Sequence, residues 1–405
     1  MQPEVIVVGG GMVGTTLAAL LGEAGVAVCV LDARPGPVDG DAGRGQPAMR
    51  VSALTEVSRR LFAHLGVWSA MTARRVTPYT AMQVWDGQGS GEIRFAAEQA
   101  GVPTLGHIVE NDVILAALEA RLAELPAVEQ VFDAQVGDLQ HDDRGRRVTL
   151  KDGRAYSAPL VVAADGARSR LRTLAGIEAE ARDTGHRAVV TTVRVALPHA
   201  GVARQVFLPT GPLAFLPLTM DGEDRYCSIV WSTTPDEAER LTGLTREALG
   251  VALEEAFERR LGRVEVIDAA VSFALAQRHA ASYVSSGLAL VGDAAHNIHP
   301  LAGQGVNLGL MDVAVLAEEL LRARSRGAEL GDVRVLSRYA RRRRGDNAAM
   351  LAMMDGFRLL FGARHPAWQL ARNLGLSGVD RLTPLKRLLM RQAIGERGRL
   401  PASCR

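Results

Sequence analysis

Residues 291–309, VGDAAHNIHPLAGQGVNLG, gather one aspartate, two histidines and four glycines into nineteen positions. Asp293, His296 and His299 are spaced three apart, and carboxylate with imidazole is ordinary ligand chemistry for zinc. Pro300, Gly303, Gly305 and Gly309 suggest something else, a backbone stripped of side chains so that a ligand can approach it. Geometry weighs against the metal. On a helix, residues six apart point about 240° away from each other, and Pro300 breaks any regular helix there. No H-E-x-x-H and no suitably spaced cysteine pair complete a ligand set. A cofactor seat uses every unusual residue. Asp293 offers an acceptor, and Pro300 and Gly303–Gly305 make a bare turn. A helix then starts near Gly305, with Leu310, Val313, Leu316, Ala317 and Leu320 spaced for one buried face. Its first turn presents free N–H groups and partial positive charge. The candidate contacts here are Gly292, Asp293, Pro300, Gly303, Gly305 and Asn307.

The elements that must hold this stretch begin at the N-terminus. EVIVVGGGMVGTTLAALLGEAGVAVCVLDAR reads as a strand (Val5–Val8), a helix (Met12–Ala24) and a second strand (Val26–Leu31). Gly9, Gly11 and Gly14 form G-x-G-x-x-G at the strand-to-helix junction, and Asp32 follows eighteen residues after Gly14. The first glycine permits the turn, the second admits a pyrophosphate, and the third lets helix pack on strand, while the acid accepts from a ribose hydroxyl. Two more apolar strands end in acids: Leu160–Ala164 before Asp165-Gly166, and Leu288–Val291 before Gly292-Asp293. Ligands collect at such C-terminal edges of open α/β sheets. One full fingerprint among three edges predicts a single large dinucleotide cofactor. Arg50 after GQPAM is expected to lead into a helix, and Glu110 and Asn111 stand before an apolar-periodic helix over 113–122.

Composition excludes several classes. Of 47 basic residues only Lys151 and Lys386 are lysine, and neither follows a glycine, so a Gly-Lys-Ser/Thr phosphate loop is out. The three cysteines have no redox or metal spacing, which predicts a reducing cytoplasm. The apolar run from Val5 to Leu31 lacks a basic leader, contains Glu23 and is broken by six glycines, unlike a signal or anchor. Residues 341–405 carry fourteen basic and four acidic side chains against a net charge of +2 for the chain. That asymmetry fits docking on an anionic surface or a merely solvated helical face. In one version, Thr383 and Pro384 start a helix with Leu385, Leu388 and Leu389 on one side and Lys386, Arg387 and Arg391 beside them, making peripheral contact with anionic membrane. Nothing points to nucleic acid.

Between Arg187 and Leu275 the pattern changes to valine- and aromatic-rich runs: AVVTTVRVAL, RQVFLP, LAFLPL, YCSIVWS and VIDAAVSFAL. These predict an antiparallel sheet with one helix at 246–260. Phe215, Pro217, Tyr226 and Trp231 are pocket candidates or plain core. No G-x-S-x-G elbow occurs, so the chemistry falls to the cofactor, with the protein supplying orientation and exclusion of water.

With Gly9–Gly14, MRVSAL (49–54), LGVW (65–68), GHIVEN (106–111), Asp165-Gly166 and GDAAHNIHPLAGQGVNLG in place, nearly the whole chain resembles the FAD-dependent aromatic hydroxylases related to p-hydroxybenzoate hydroxylase. Within that group it is most similar to the ubiquinone-biosynthesis hydroxylases. ARQVFLPTGPLAFLPL (203–218) and CSIVWSTTPDEAERL (227–241) look most like their 2-polyprenylphenol hydroxylase branch. Two positions depart from the family pattern: Asp32 where glutamate is usual, and Asn297 where threonine is common.

The resemblance implies an α/β fold: a discontinuous Rossmann-like FAD-binding domain (1–75, 100–182 and 276–350), a mixed or antiparallel β-sheet substrate domain (76–99 and 183–275) and a C-terminal helical segment (351–405). It implies FAD held by Gly9, Gly11, Gly14, Asp32, Arg50, Asp165 and the 292–307 contacts, with Arg50 on the pyrophosphate and Asp293 on a ribityl hydroxyl. NAD(P)H is then a transient co-substrate, and O2 hydroxylates an electron-rich ring through a flavin C4a-hydroperoxide. The implied substrate is a polyprenylphenol or related quinone precursor, and the implied partners are other ubiquinone-biosynthesis proteins. The alternatives are a hydroxylase of a different ring position or another aromatic substrate, and a non-hydroxylating reductase or scaffold of the same fold.

Overall fold

The computed structural model describes residues 2–143, 145–297, 305–362, 394–396 and 398–405. Its organising element is a six-stranded sheet ordered Val284–Ser285, Leu288–Leu290, Leu160–Ala163, Val5–Val8, Val28–Leu31 and Val128–Val131. All neighbours run parallel except the edge hairpin Val284–Ser285. The central strands VIVV and LVVA are buried at every position, which is why they read as unbroken apolar runs rather than alternating ones. Helices Met12–Glu23, Asn111–Ala123 and Gly305–Arg324 share one core with this sheet.

The second layer is a larger mixed sheet ordered His296–Asn297, Val271–Ala280, Ala179–Val195, Glu223–Thr233, Gly211–Met220, Val202–Leu208, Ala81–Asp86 and Glu92–Ala96, with Val264–Val266 paired beside Ala179–Val195. Only Val202–Leu208 with Ala81–Asp86 is a parallel pair. Alternation divides the sheet into two faces. Odd-numbered residues such as Val189, Phe215, Ile229 and Trp231 pack with Leu241, Leu249, Leu253 and Phe257 into a second core, and Phe215 stacks on Phe257 with ring centroids 3.7 Å apart.

Several elements differ from the sequence expectation. VIDAAVSFAL is split, Val264–Val266 from Val271–Ala280. Strand Ala179–Val195 extends well ahead of the valine-rich run, because Ala179–Asp183 pair with Ala276–Ala280 ahead of a bulge. The 246–260 helix stops at Ala256, and Pro235–Thr242 is an additional helix. Arg50 does not lead into a helix: strand Val51–Thr55 intervenes, held by pairing with Gly106–Glu110. Helix Glu56–His64 then starts at Thr55, whose hydroxyl accepts from the Ser58 N–H at 3.2 Å. The Thr383–Arg391 helix expectation lies outside the described residues.

Candidate functional site

The Gly9–Gly14 turn has two tight glycines and one open one. Gly9 has φ +105°, and a β-carbon there would stand 2.3 Å from the Ala164 carbonyl oxygen. A β-carbon on Gly14 would meet the Gly9 carbonyl oxygen at 2.0 Å. At Gly11 it would meet nothing within 4 Å. Gly11 also occupies the N-cap position of Met12–Glu23, with extended backbone and no side-chain cap, so the first amides of that helix lack the usual capping acceptor. The turn presents its donors beside open space.

Two further strand ends stand next to it. The main-chain N–H of Ala164 donates to the Val8 carbonyl at 2.8 Å. That sets Asp165 beside the turn, where its Oδ2 accepts from Leu171 N–H at 3.1 Å while its Oδ1 is buried with no partner among the described residues. Asp32 is 8% exposed, and its Oδ2 accepts from Arg34 Nε and Nη2 at 2.8 and 2.6 Å. Arg34 Nη2 also reaches the Gly10 carbonyl and Glu119, leaving Nη1 buried and unpartnered among the described residues. The Asp32–Arg34–Glu119 cluster is legible in sequence only at Asp32, because Glu119 lies on a distant helix.

Gly292 has φ +56° and packs on Val13. Asp293, exposed at its surface, has Asn297 Nδ2 at 3.4 Å from Oδ2. Protein crowded around it pushes its carboxyl above the ordinary range, with Asp312 adding to this and His296 opposing it. Helix Gly305–Arg324 covers the expected helical stretch, with no acidic residue in its first turn. Gly309 lets it close on Val13, at 2.8 Å from a would-be β-carbon. Asn307 ties this helix to the neighbouring strand: its Oδ1 accepts from Thr55 N–H and Ser58 Oγ, and its Nδ2 donates to the Ala53 carbonyl. Pro300, Gly303 and His299 lie outside the described residues.

His296 is 1% exposed and faces inward, its Nε2 2.5 Å from Asp312 Oδ2. Among the described residues no group of three or more His, Cys, Asp or Glu side chains could hold a metal ion. Asp312 was missed in the sequence because it sits inside an otherwise apolar helical stripe. It is wholly buried, and burial alone would raise its carboxyl. His296 and Arg343 overcome that and hold it down at about 2.

Arg50 is exposed, with no carboxylate partner among the described residues, and its guanidinium lies 4.9 Å from the centre of the Phe273 ring. Phe273 pairs with Ala188, which places it on the even-numbered face of the large sheet, opposite the helix-covered core. Tyr226 shares that face, whereas Phe215, Pro217 and Trp231 belong to the odd-numbered one. Glu110, a helix-start candidate, makes no cap bond. It accepts instead from Ala48 N–H and from Arg75, buried to 2% exposure.

Residues 2–353 match the family model described as FAD binding domain. The chain is 40% identical over 396 residues to the 3-demethoxyubiquinol 3-hydroxylase of Escherichia coli K12, covering 97% of this chain and 99% of that one. It is 40% identical over 392 residues to the ubiquinone hydroxylase UbiL of Rhodospirillum rubrum, covering 97% and 89%. The chain belongs to the FAD-binding monooxygenase family. Its fold matches the crystal structure of p-nitrophenol 4-monooxygenase from Pseudomonas putida with a TM-score of 0.79 at 23% identity, over 98% of this chain and 99% of that one. The protein is an FAD-dependent aromatic hydroxylase. The residues present suit the dinucleotide: uncapped amides beside open space at Gly11, and an acceptor on Asp165 and a donor on Arg34 that are buried without partners among the described residues.

Proposed function

We propose that the chain hydroxylates the aromatic ring of a polyprenylphenol intermediate of ubiquinone biosynthesis. The observation that carries this reading is Arg50 stacked on Phe273, which joins the cofactor layer to the face of the large sheet opposite its helix-packed core. The substrate class is supported by full-length similarity to relatives named for ubiquinone precursors. FAD, once reduced by NAD(P)H, would supply the activation of O2. The chain's part is to bind, orient and keep water out.

In this reading the Gly11 turn and the first amides of Met12–Glu23 hold the pyrophosphate, with Arg50 contributing its planar charged fork. Asp32 and Asp165 accept from hydroxyls of the cofactor, and Arg34 keeps the Asp32 carboxylate aimed. Gly292, Asp293, Pro300, Gly303, Gly305 and Asn307 form the seat for the ring end. The amides at the start of Gly305–Arg324 favour negative charge there by about 0.3–2 kcal/mol. Tyr226 and Phe273, on the even face, are the pocket residues we favour over Phe215, Pro217 and Trp231. The domain division at 1–75, 100–182 and 276–350 against 76–99 and 183–275 belongs to the same proposal.

Among the described residues no helix is long and apolar enough to cross a membrane. Peripheral contact through Lys386, Arg387 and Arg391 would bring a cytoplasmic enzyme to a lipid-borne substrate. The experiment that tests the substrate reading is turnover of the purified holoenzyme with a panel of short-chain prenylphenol and demethoxyquinol precursors, with products resolved by mass spectrometry. Hydroxylation of the phenol supports the 2-polyprenylphenol branch. Hydroxylation of the demethoxyquinol alone moves the activity to the ring position for which the Escherichia coli relative is named. NAD(P)H oxidation with no hydroxylated product favours the reductase alternative.

A further inference from the structure

We propose that Asp312 is a positioning residue for the cofactor seat, acting through the short turn that carries Asp293. This rests on the reading that FAD lies against that turn. One oxygen of Asp312 holds both ends of the turn: Oδ2 accepts from the Gly292 N–H at 3.0 Å and pairs with His296 Nε2 at 2.5 Å. Asp293 lies between these anchors, and Asn297, whose amide approaches it, follows directly after. Asp312 itself bonds to neither.

The other oxygen is fixed from behind. Oδ1 accepts from Arg343 Nε at 2.8 Å and Asn347 Nδ2 at 3.2 Å, and Arg343 Nη2 donates to Asn347 Oδ1 at 2.7 Å. Asn347 also reaches the Tyr283 hydroxyl, which meets His279 Nε2 at 2.9 Å. Asp312, Arg343 and Asn347 are exposed by 0, 3 and 0%. A buried ionic cluster is rarely the most stable way to fill a core, since apolar side chains of the same volume often do as well or better. What this cluster supplies that an apolar core could not is two directed bonds onto one turn. Gly292 sits at φ +56°, and its N–H needs an acceptor deep in the protein.

The test is FAD titration of apoprotein by fluorescence quenching, for wild type, Asp312→Asn, Asp293→Ala and the double variant, with thermal melts of each apoprotein. An Asn side chain can still accept from Gly292 N–H but loses the carboxylate oxygen that meets His296 and the ionic hold on Arg343. The expected result is a Kd for FAD raised roughly tenfold by Asp312→Asn, the scale of one hydrogen bond. The effect should be strongly non-additive with Asp293→Ala. His296→Gln, which keeps an N–H facing Asp312 and tests the turn should Asp312→Asn fail to fold, should hold a Kd nearer wild type than His296→Leu. A melt shift with Kd unchanged within about twofold, or additive effects, overturns the inference while leaving the FAD reading intact. Wild-type apoprotein that takes up no FAD overturns both.

Discussion

Gly14 and Gly9 are in backbone contact, so that a β-carbon on Gly14 would lie 2.0 Å from the Gly9 carbonyl oxygen. Gly11, between them, faces open space. The two positions should therefore fail differently. Gly14→Val is expected to cost folded protein outright, because helix and strand must part. Gly11→Val is expected to keep the apoprotein melt close to wild type yet purify without bound flavin. Circular dichroism melts and flavin absorbance of the purified variants separate the two.

Asp293→Ala and Arg50→Ala should each weaken FAD binding by roughly 1.5–3 kcal/mol, the range for hydrogen bonds to charged groups. Neither side chain is buried, so both variants should fold. Fluorescence titration of apoprotein gives the number directly. Wild-type affinity in both variants would place the cofactor elsewhere.

His107 gives the fold a pH dependence of definite sign. Burial pushes its imidazole down from 6.5 to about 4, with Arg59 adding to this and Glu56 opposing. Trp68 packs edge-on against the ring, with centroids 4.9 Å apart. The folded state thus binds fewer protons than the unfolded chain between these values. The stability held by neutral His107 is complete above about pH 6.5 and is lost as pH falls towards 4. His107→Phe should flatten the melt-against-pH curve in that window, and an unchanged curve would contradict the assignment.

The basic tail should confer salt-sensitive binding to anionic vesicles. Three basic residues near anionic lipid contribute about 1 kcal/mol each. Replacing Lys386, Arg387 and Arg391 with glutamate should abolish co-sedimentation with phosphatidylglycerol vesicles at low salt, with no change for phosphatidylcholine. Equal sedimentation of both proteins would remove the tail from membrane contact.

Legibility in the sequence followed the range of the interactions involved. The glycine turn, the three acid-ended strands and the apolar stripe of Gly305–Arg324 are dictated by neighbours within a few residues, and these were readable. The Pro235–Thr242 helix was also signalled, by Pro235 at its first position and Asp236 and Glu237 in its first turn, but the adjacent β-pattern concealed it. Asp312 could not be read, because its partners His296 and Arg343 lie sixteen and thirty-one residues away. Strand Val51–Thr55 depends on pairing with Gly106–Glu110, and the inward turn of Phe215 and Trp231 depends on which face the helices cover. Each of these is a tertiary choice that local pattern does not encode.

In the proposed reaction this chain places one atom of O2 on the ring of a prenylated phenol. The most direct measurement is single-substrate turnover of the FAD-loaded enzyme with NAD(P)H under heavy-isotope O2, followed by mass spectrometry of the product. The expected product is a hydroxylated ring carrying one heavy oxygen, with ordinary water contributing none. A product labelled from water, or reduced cofactor consumed with only hydrogen peroxide formed, would contradict it.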